Sequence, residues 1–214
     1  SKMEDFPVTG MEAADAALPL EPRDPGSPLR ILTSGRLVFW KNFAAAIEAF
    51  GRFSACGPEA SFTIVGEGPE SGRLNDLVVR LALRGKIHFV PWLPQKELWK
   101  LMRSSDVFLY PSLREGGGAV VVEAMANGLP VICLDSAGPG FHIRDGWGIK
   151  ILPVDRPSIV QGMAAGLGRL AADPALRRSM GDAARIRAAD VYVWDRLGDR
   201  LERIYASVDA EGRK

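Results

Sequence analysis

The chain has 214 residues, 47% of them hydrophobic, and its 27 basic and 26 acidic residues leave a formal net charge of +1. That length allows one large domain or two small ones, and the apolar content is enough for a sizeable core. So even a charge balance offers no broad field to steer nucleic acid or an acidic membrane, and no run of 18 apolar residues is present to span a bilayer. The two cysteines, Cys56 and Cys133, show no metal-ligand spacing and no disulfide framework. No secretory signal is visible, and a reducing cytoplasm is the expected location.

Residues 1–28 carry Pro7, Pro19, Pro22, Pro25 and Pro28 with little periodicity, and read as a linker or extended arm. From Leu29 short apolar runs alternate with helical stretches. Strands are expected at 29–34, 62–65, 86–90, 107–110, 131–134 and 148–152. Helices are expected at 43–55, 70–83, 95–103 and 119–127, the last stopped by Gly128. After the N-cap Asp155, three helices at about 156–171, 174–188 and 190–208 close a domain taken as 29–209, with 210–214 as a tail. The alternation predicts an α/β, Rossmann-like three-layer domain with a mainly parallel sheet and a helical C-terminal tail.

In open sheets of this kind ligands bind beyond the carboxyl ends of the strands, so the loops at 34–41, 66–69, 90–94, 111–118 and 135–141 matter most. The strongest pattern runs from Pro111 to Met125: a strand end, the glycines Gly116, Gly117 and Gly118, then a helix. Glycines admit close backbone approach, and a helix N-terminus offers free N–H groups and a positive dipole end suited to phosphate. Glu115 stands at the turn and Glu123 eight residues on, about two helical turns, so the pair is expected on one helix face. Carboxylates there suit sugar hydroxyls through charge-assisted bonds; a flexible loop with two solvated glutamates is the plain alternative. Gly35, Arg36 and Lys41 follow the first strand, where two cations suit a diphosphate or are merely two surface charges. Gly66-Glu67-Gly68-Pro69 is a further glycine turn at a strand end.

Taken together, Gly35-Arg36 with Lys41, the Gly66 turn, Phe89-Val90-Pro91-Trp92-Leu93-Pro94, Glu115-x7-Glu123, Asp145-Gly146 with Ile149 to Asp155, and Val193-Trp194 with Leu197, Leu201 and Tyr205 resemble the carboxy-terminal domain of family 4 retaining glycosyltransferases, one half of a GT-B fold. The resemblance covers about Leu29 to Tyr205. It implies that Arg36 and Lys41 bind the donor diphosphate and that Glu123 binds the ribose. Glu115 and the backbone of Gly116, Gly117 and Gly118 would hold the transferred sugar, and Val90, Trp92 and Leu113 would bracket the base. It further implies a nucleoside diphosphate sugar as substrate, no metal or other cofactor, and an amino-terminal acceptor-binding domain that residues 1–28 cannot replace.

The sequence departs from the family pattern at Asn42, where glycine is usual after the lysine, at Gly117, where an aromatic is common, and along 135–140. His88 is expected to be structural and His142 a loop residue near the donor. Trp40, Trp99, Trp147 and Trp194 are expected to pack, and Arg177, Arg178, Arg185 and Arg187 to form a solvated face. A non-enzymatic nucleotide-sugar-binding module and a hydrolysing sugar-nucleotide epimerase are the rival functions; the epimerase would need acid/base residues that the sequence does not display.

Overall fold

The computed structural model describes residues 10–12 and 27–212, so most of the expected arm at 1–28 lies outside the described residues. Six strands form one sheet: β1 (Leu29–Ser34), β2 (Ala60–Val65), β3 (Ile87–Val90), β4 (Val107–Tyr110), β5 (Val131–Leu134) and β6 (Gly148–Ile151). Their order is β3-β2-β1-β4-β5-β6 and all neighbouring pairs are parallel. The helices are α1 (Phe43–Cys56), α2 (Ser71–Arg80), α3 (Gln95–Arg103), α4 (Ala119–Ala126), α5 (Ala137–His142), α6 (Arg156–Ala172), α7 (Pro174–Val191) and α8 (Trp194–Gly212), with a 3₁₀ turn at Phe39–Lys41. This is the Rossmann-like α/β architecture expected from the sequence.

The apolar runs of the strands are continuous because both faces of the sheet are covered. Ile31, Phe62, Ile64, Val107, Leu109, Ile132 and Leu134 pack beneath α1, α2 and α6. Their neighbours Leu32, Val65, Phe108, Tyr110, Val131 and Cys133 point the other way, onto α3, α4 and the end of α7. Cys133 is a fully buried small hydrophobe, its thiol pushed up to about 12 chiefly by burial. His88 is exposed on the edge strand β3, and Trp40 and Trp194 are 40% and 49% exposed, so those two tryptophans pack less than expected. Among the arginines taken as a solvated face, Arg187 lies 5.8 Å over the Trp147 ring and Arg177 Nη1 donates to the Leu170 carbonyl at 2.6 Å.

Several elements differ from expectation. β2 begins at Ala60 because that residue pairs with Leu29. α2 stops at Arg80, followed by Ala82 at φ 53, a left-handed residue that ends the helix. α8 starts at Trp194 because Tyr192 and Trp194 are engaged elsewhere: Met11 N–H donates to the Tyr192 carbonyl at 2.8 Å, and Trp194 N–H to the Met11 carbonyl at 3.0 Å. The loop expected at 135–141 contains α5, whose Gly138-Pro139-Gly140 core hides it from any propensity scale.

Two backbone positions shape the sheet's carboxyl edge. Asn42 adopts φ 56, ψ 29 between the 3₁₀ turn and α1. This explains the departure from glycine, since asparagine is among the few side chains that tolerate this region. Gly66 has φ 138, and a Cβ there would sit 2.1 Å from the Gly35 carbonyl oxygen. The turns after β1 and β2 therefore touch backbone to backbone. Gly66→Ala is expected to destabilise the fold by roughly 1–3 kcal/mol through overpacking and unfavourable φ, read as a lowered midpoint in urea unfolding with unchanged slope.

Candidate functional site

A cleft of about 680 Å³ opens at the carboxyl ends of β1, β2 and β4. Gly35, Arg36, Lys41, Gly66, Trp92, Glu115 and Glu123 all line it. Val90, Leu113, Gly116, Gly117 and Gly118 lie outside that lining. The Val90 carbonyl accepts from Gly66 N–H at 2.9 Å, and Leu113 N–H donates to the Trp40 carbonyl at 2.9 Å. Arg36 and Trp92 are exposed at the cleft.

The paired glutamates do not share a helix face as expected. Gly118, at φ 64 and ψ 31, caps α4, so Glu115 belongs to the turn before the helix and only Glu123 is helical. The cleft nevertheless receives both, from different elements. Ala119 and Val120, in the first turn of α4, also line it, which places the positive end of that helix at the cleft.

At the end of β4 the Tyr110 hydroxyl completes a group that sequence reasoning missed. Lys41 Nζ donates to Tyr110 Oη at 2.6 Å and also to Glu115 Oε2, while the Tyr110 hydroxyl donates to the same Glu115 oxygen. The apolar run 107–110 placed Tyr110 at the end of a strand but carried no information on where its hydroxyl ends. Burial and the neighbouring Glu115 carboxylate push the phenol far above its ordinary range, so it stays protonated and donates. Burial pushes the Glu115 carboxyl up, but bonds from Lys41 and Tyr110, the Lys41 charge and the Gly116 N–H outweigh it and hold the group below its usual range. Glu123 accepts from Trp99 Nε1 and Gln95 Nε2, each at 3.2 Å. Burial still raises its carboxyl against those two bonds.

These contacts have consequences for stability. Tyr110→Phe removes one bond to a carboxylate and one from an ammonium, and is expected to cost roughly 1.5–3 kcal/mol, measurable by urea unfolding at neutral pH. Because the Glu115 carboxyl is depressed, its contribution is present above the ordinary carboxylate range and is lost as pH falls through its folded value. Lys41→Met shrinks that depression, so the acid-unfolding midpoint, followed by circular dichroism, is expected to move to higher pH.

Comparison with known proteins now bears on this site. Residues 21–187 match the family model described as "Glycosyl transferases group 1". The chain belongs to this family. It is 30% identical over 179 residues to a glycogen synthase of Mycobacterium tuberculosis, covering 83% of this chain and 42% of that protein. It is 30% identical to a sucrose synthase of Acidithiobacillus caldus, covering 85% of this chain and 26% of the relative. Among solved structures, sucrose-phosphate synthase from Thermosynechococcus elongatus superposes with a TM-score of 0.75 at 26% identity, over 95% of this chain and 52% of that one. Anabaena Alr3699/HepE, solved in complex with UDP-glucose, gives a TM-score of 0.73 at 20% identity, over 86% of this chain and 50% of its own, a likeness of fold. The chain thus spans about half or less of the length of these relatives. No helix among the described residues is long and apolar enough to cross a membrane.

Proposed function

We propose that the cleft is the donor site of a retaining glycosyltransferase of the family 4 type, binding a nucleoside diphosphate sugar. The observation that carries this reading is the convergence of Lys41, Glu115 and the start of α4 on one cleft whose wall also presents Glu123. The diphosphate lies against Lys41, Arg36 and the α4 N-terminus. These positive groups stabilise the charge that grows on the diphosphate as the sugar–phosphate bond breaks, and they take the place of a metal ion. Glu115 engages the sugar hydroxyls, and Glu123 those of the ribose. Trp92 offers a ring for the base. The acceptor is held by a second domain that is not part of residues 29–209.

Several of the structural neighbours carry UDP, among them pneumococcal GtfA with UDP and GlcNAc and HepE with UDP-glucose. UDP-sugars are therefore the first donors to test here. A screen of UDP-, GDP- and ADP-sugars for thermal stabilisation tests the proposal. A cognate donor at a hundred times its Kd adds about 2.7 kcal/mol, or about 5–10 °C for a chain of this size. No shift with any of the three on a folded sample contradicts the donor site. Stabilisation by a donor that the full-length protein never transfers supports the non-enzymatic binding module instead.

A further inference from the structure

His142 closes α5, and only 4% of its surface is exposed. Both ring nitrogens are engaged. Nε2 lies 2.6 Å from the Gly117 carbonyl oxygen, and Nδ1 lies 2.8 Å from the Tyr192 hydroxyl. A carbonyl oxygen only accepts, so Nε2 carries the proton and donates to Gly117. In the neutral ring Nδ1 is then an acceptor, and Tyr192 donates to it. Burial holds the imidazole below its ordinary range, with only the Gly117 bond opposing, which favours that neutral form.

Tyr192 is itself fixed. Its ring meets that of His142 edge-on, with centroids 5.1 Å apart. Its backbone N–H donates to Ala188 at 2.9 Å, and its carbonyl accepts from Met11 at 2.8 Å. The turn it reaches has no side chains of its own to hold it. Gly116, Gly117 and Gly118 have no side chains, and three consecutive glycines leave the backbone many alternative conformations. Gly138 of α5 packs against the same stretch, so closely that a Cβ there would lie 2.3 Å from the Gly116 oxygen.

We propose that His142 is a positioning residue for the donor site, locking the Gly117–Gly118 peptide through Nε2–H while Tyr192 sets the tautomer that makes this possible. Carbonyl and following N–H point to opposite sides of a trans peptide. Anchoring the Gly117 oxygen therefore fixes the direction of the N–H groups that lead into α4. The role rests on reading the cleft as a nucleoside diphosphate site, but the hydrogen-bond geometry can be tested without any ligand.

Nitrogen-15 NMR of the imidazole in the 214-residue chain at neutral pH is expected to show Nε2 protonated and Nδ1 bare; an Nδ1–H ring overturns the proposal. His142→Leu is expected to speed amide exchange at Gly117 and Gly118 relative to the β5 amides. It should also weaken UDP about two- to tenfold, as for one lost neutral hydrogen bond. His142→Gln, whose amide N–H reaches the position of Nε2, is expected to restore both. If His142→Leu leaves exchange and UDP affinity unchanged, or if Gln behaves like Leu, the positioning role is refuted while the donor site stands. If the wild-type chain binds no nucleoside diphosphate, the donor site is refuted, and the NMR and exchange measurements still decide whether His142 holds the turn. Should His142→Leu fail to fold, the Gln variant and the wild-type tautomer carry the test.

Discussion

The 214-residue chain by itself is expected to transfer no sugar at a measurable rate, even if it binds the donor fully. Lys41, Arg36, Glu115 and the start of α4 line one cleft, which we propose holds the donor, and we propose that the acceptor is held by a part of the protein beyond this chain. Holding two reactants in attack geometry is worth roughly 7–11 kcal/mol, on the order of 10⁵–10⁸ in effective molarity. Without that, donor groups can only polarise the sugar–phosphate bond. The glycogen synthase and sucrose-phosphate synthase relatives have about twice this length or more. Radiolabelled transfer should be compared between this chain and the full-length protein at equal donor occupancy. A loss of five orders of magnitude or more agrees with the account, and equal rates contradict it.

The second large effect separates the two glutamates. Glu123→Ala is expected to weaken bare nucleoside diphosphate and nucleotide sugar alike, by roughly ten- to a hundredfold, the value of a charge-assisted bond of about 1.5–3 kcal/mol. Trp99 and Gln95 hold the Glu123 carboxylate in place, which leaves its other lone pairs for ribose hydroxyls. Glu115→Ala is expected to weaken only the nucleotide sugar. Its carboxylate is paired with Lys41, so its removal frees the lysine for phosphate, and bare diphosphate binding stays the same or tightens. In the full-length protein Glu115→Ala should also depress turnover, since sugar positioning counts most in the transition state. Calorimetry with both ligands on both variants decides. Equal losses of the bare diphosphate refute the division of labour, and no loss of either ligand in either variant refutes the site.

Much of this was legible in the sequence, for identifiable reasons. β4 and β5 are apolar runs bounded by Pro111 and Pro130, because a doubly covered parallel sheet writes its strands as unbroken hydrophobic stretches. Asp155 marked the start of α6 because an N-cap is a local signal, and its side chain accepts from Ser158 N–H at 2.7 Å. Glycines at strand ends pointed to the cleft. What stayed hidden depends on contacts through space. Counting helical turns back to Glu115 put it on one face with Glu123, although the helix was expected only from 119; the left-handed Gly118 takes the chain off the helical path before Glu115 is reached. Nor could spacing show that Tyr110, 69 residues from Lys41, would share its ammonium, or that Tyr192 would orient His142 against Gly117. Met11, in a segment read as an arm, is buried and bridged to Val193 for the same reason.

The central claim is that Lys41, Arg36 and the start of α4 form a diphosphate site that needs no metal. Isothermal calorimetry of the folded chain with UDP, GDP and ADP in excess EDTA tests it most directly. The account predicts saturable 1:1 binding of at least one of the three, weakened by Lys41→Ala. Absence of heat with all three, or binding that appears only when a divalent cation is supplied, contradicts it.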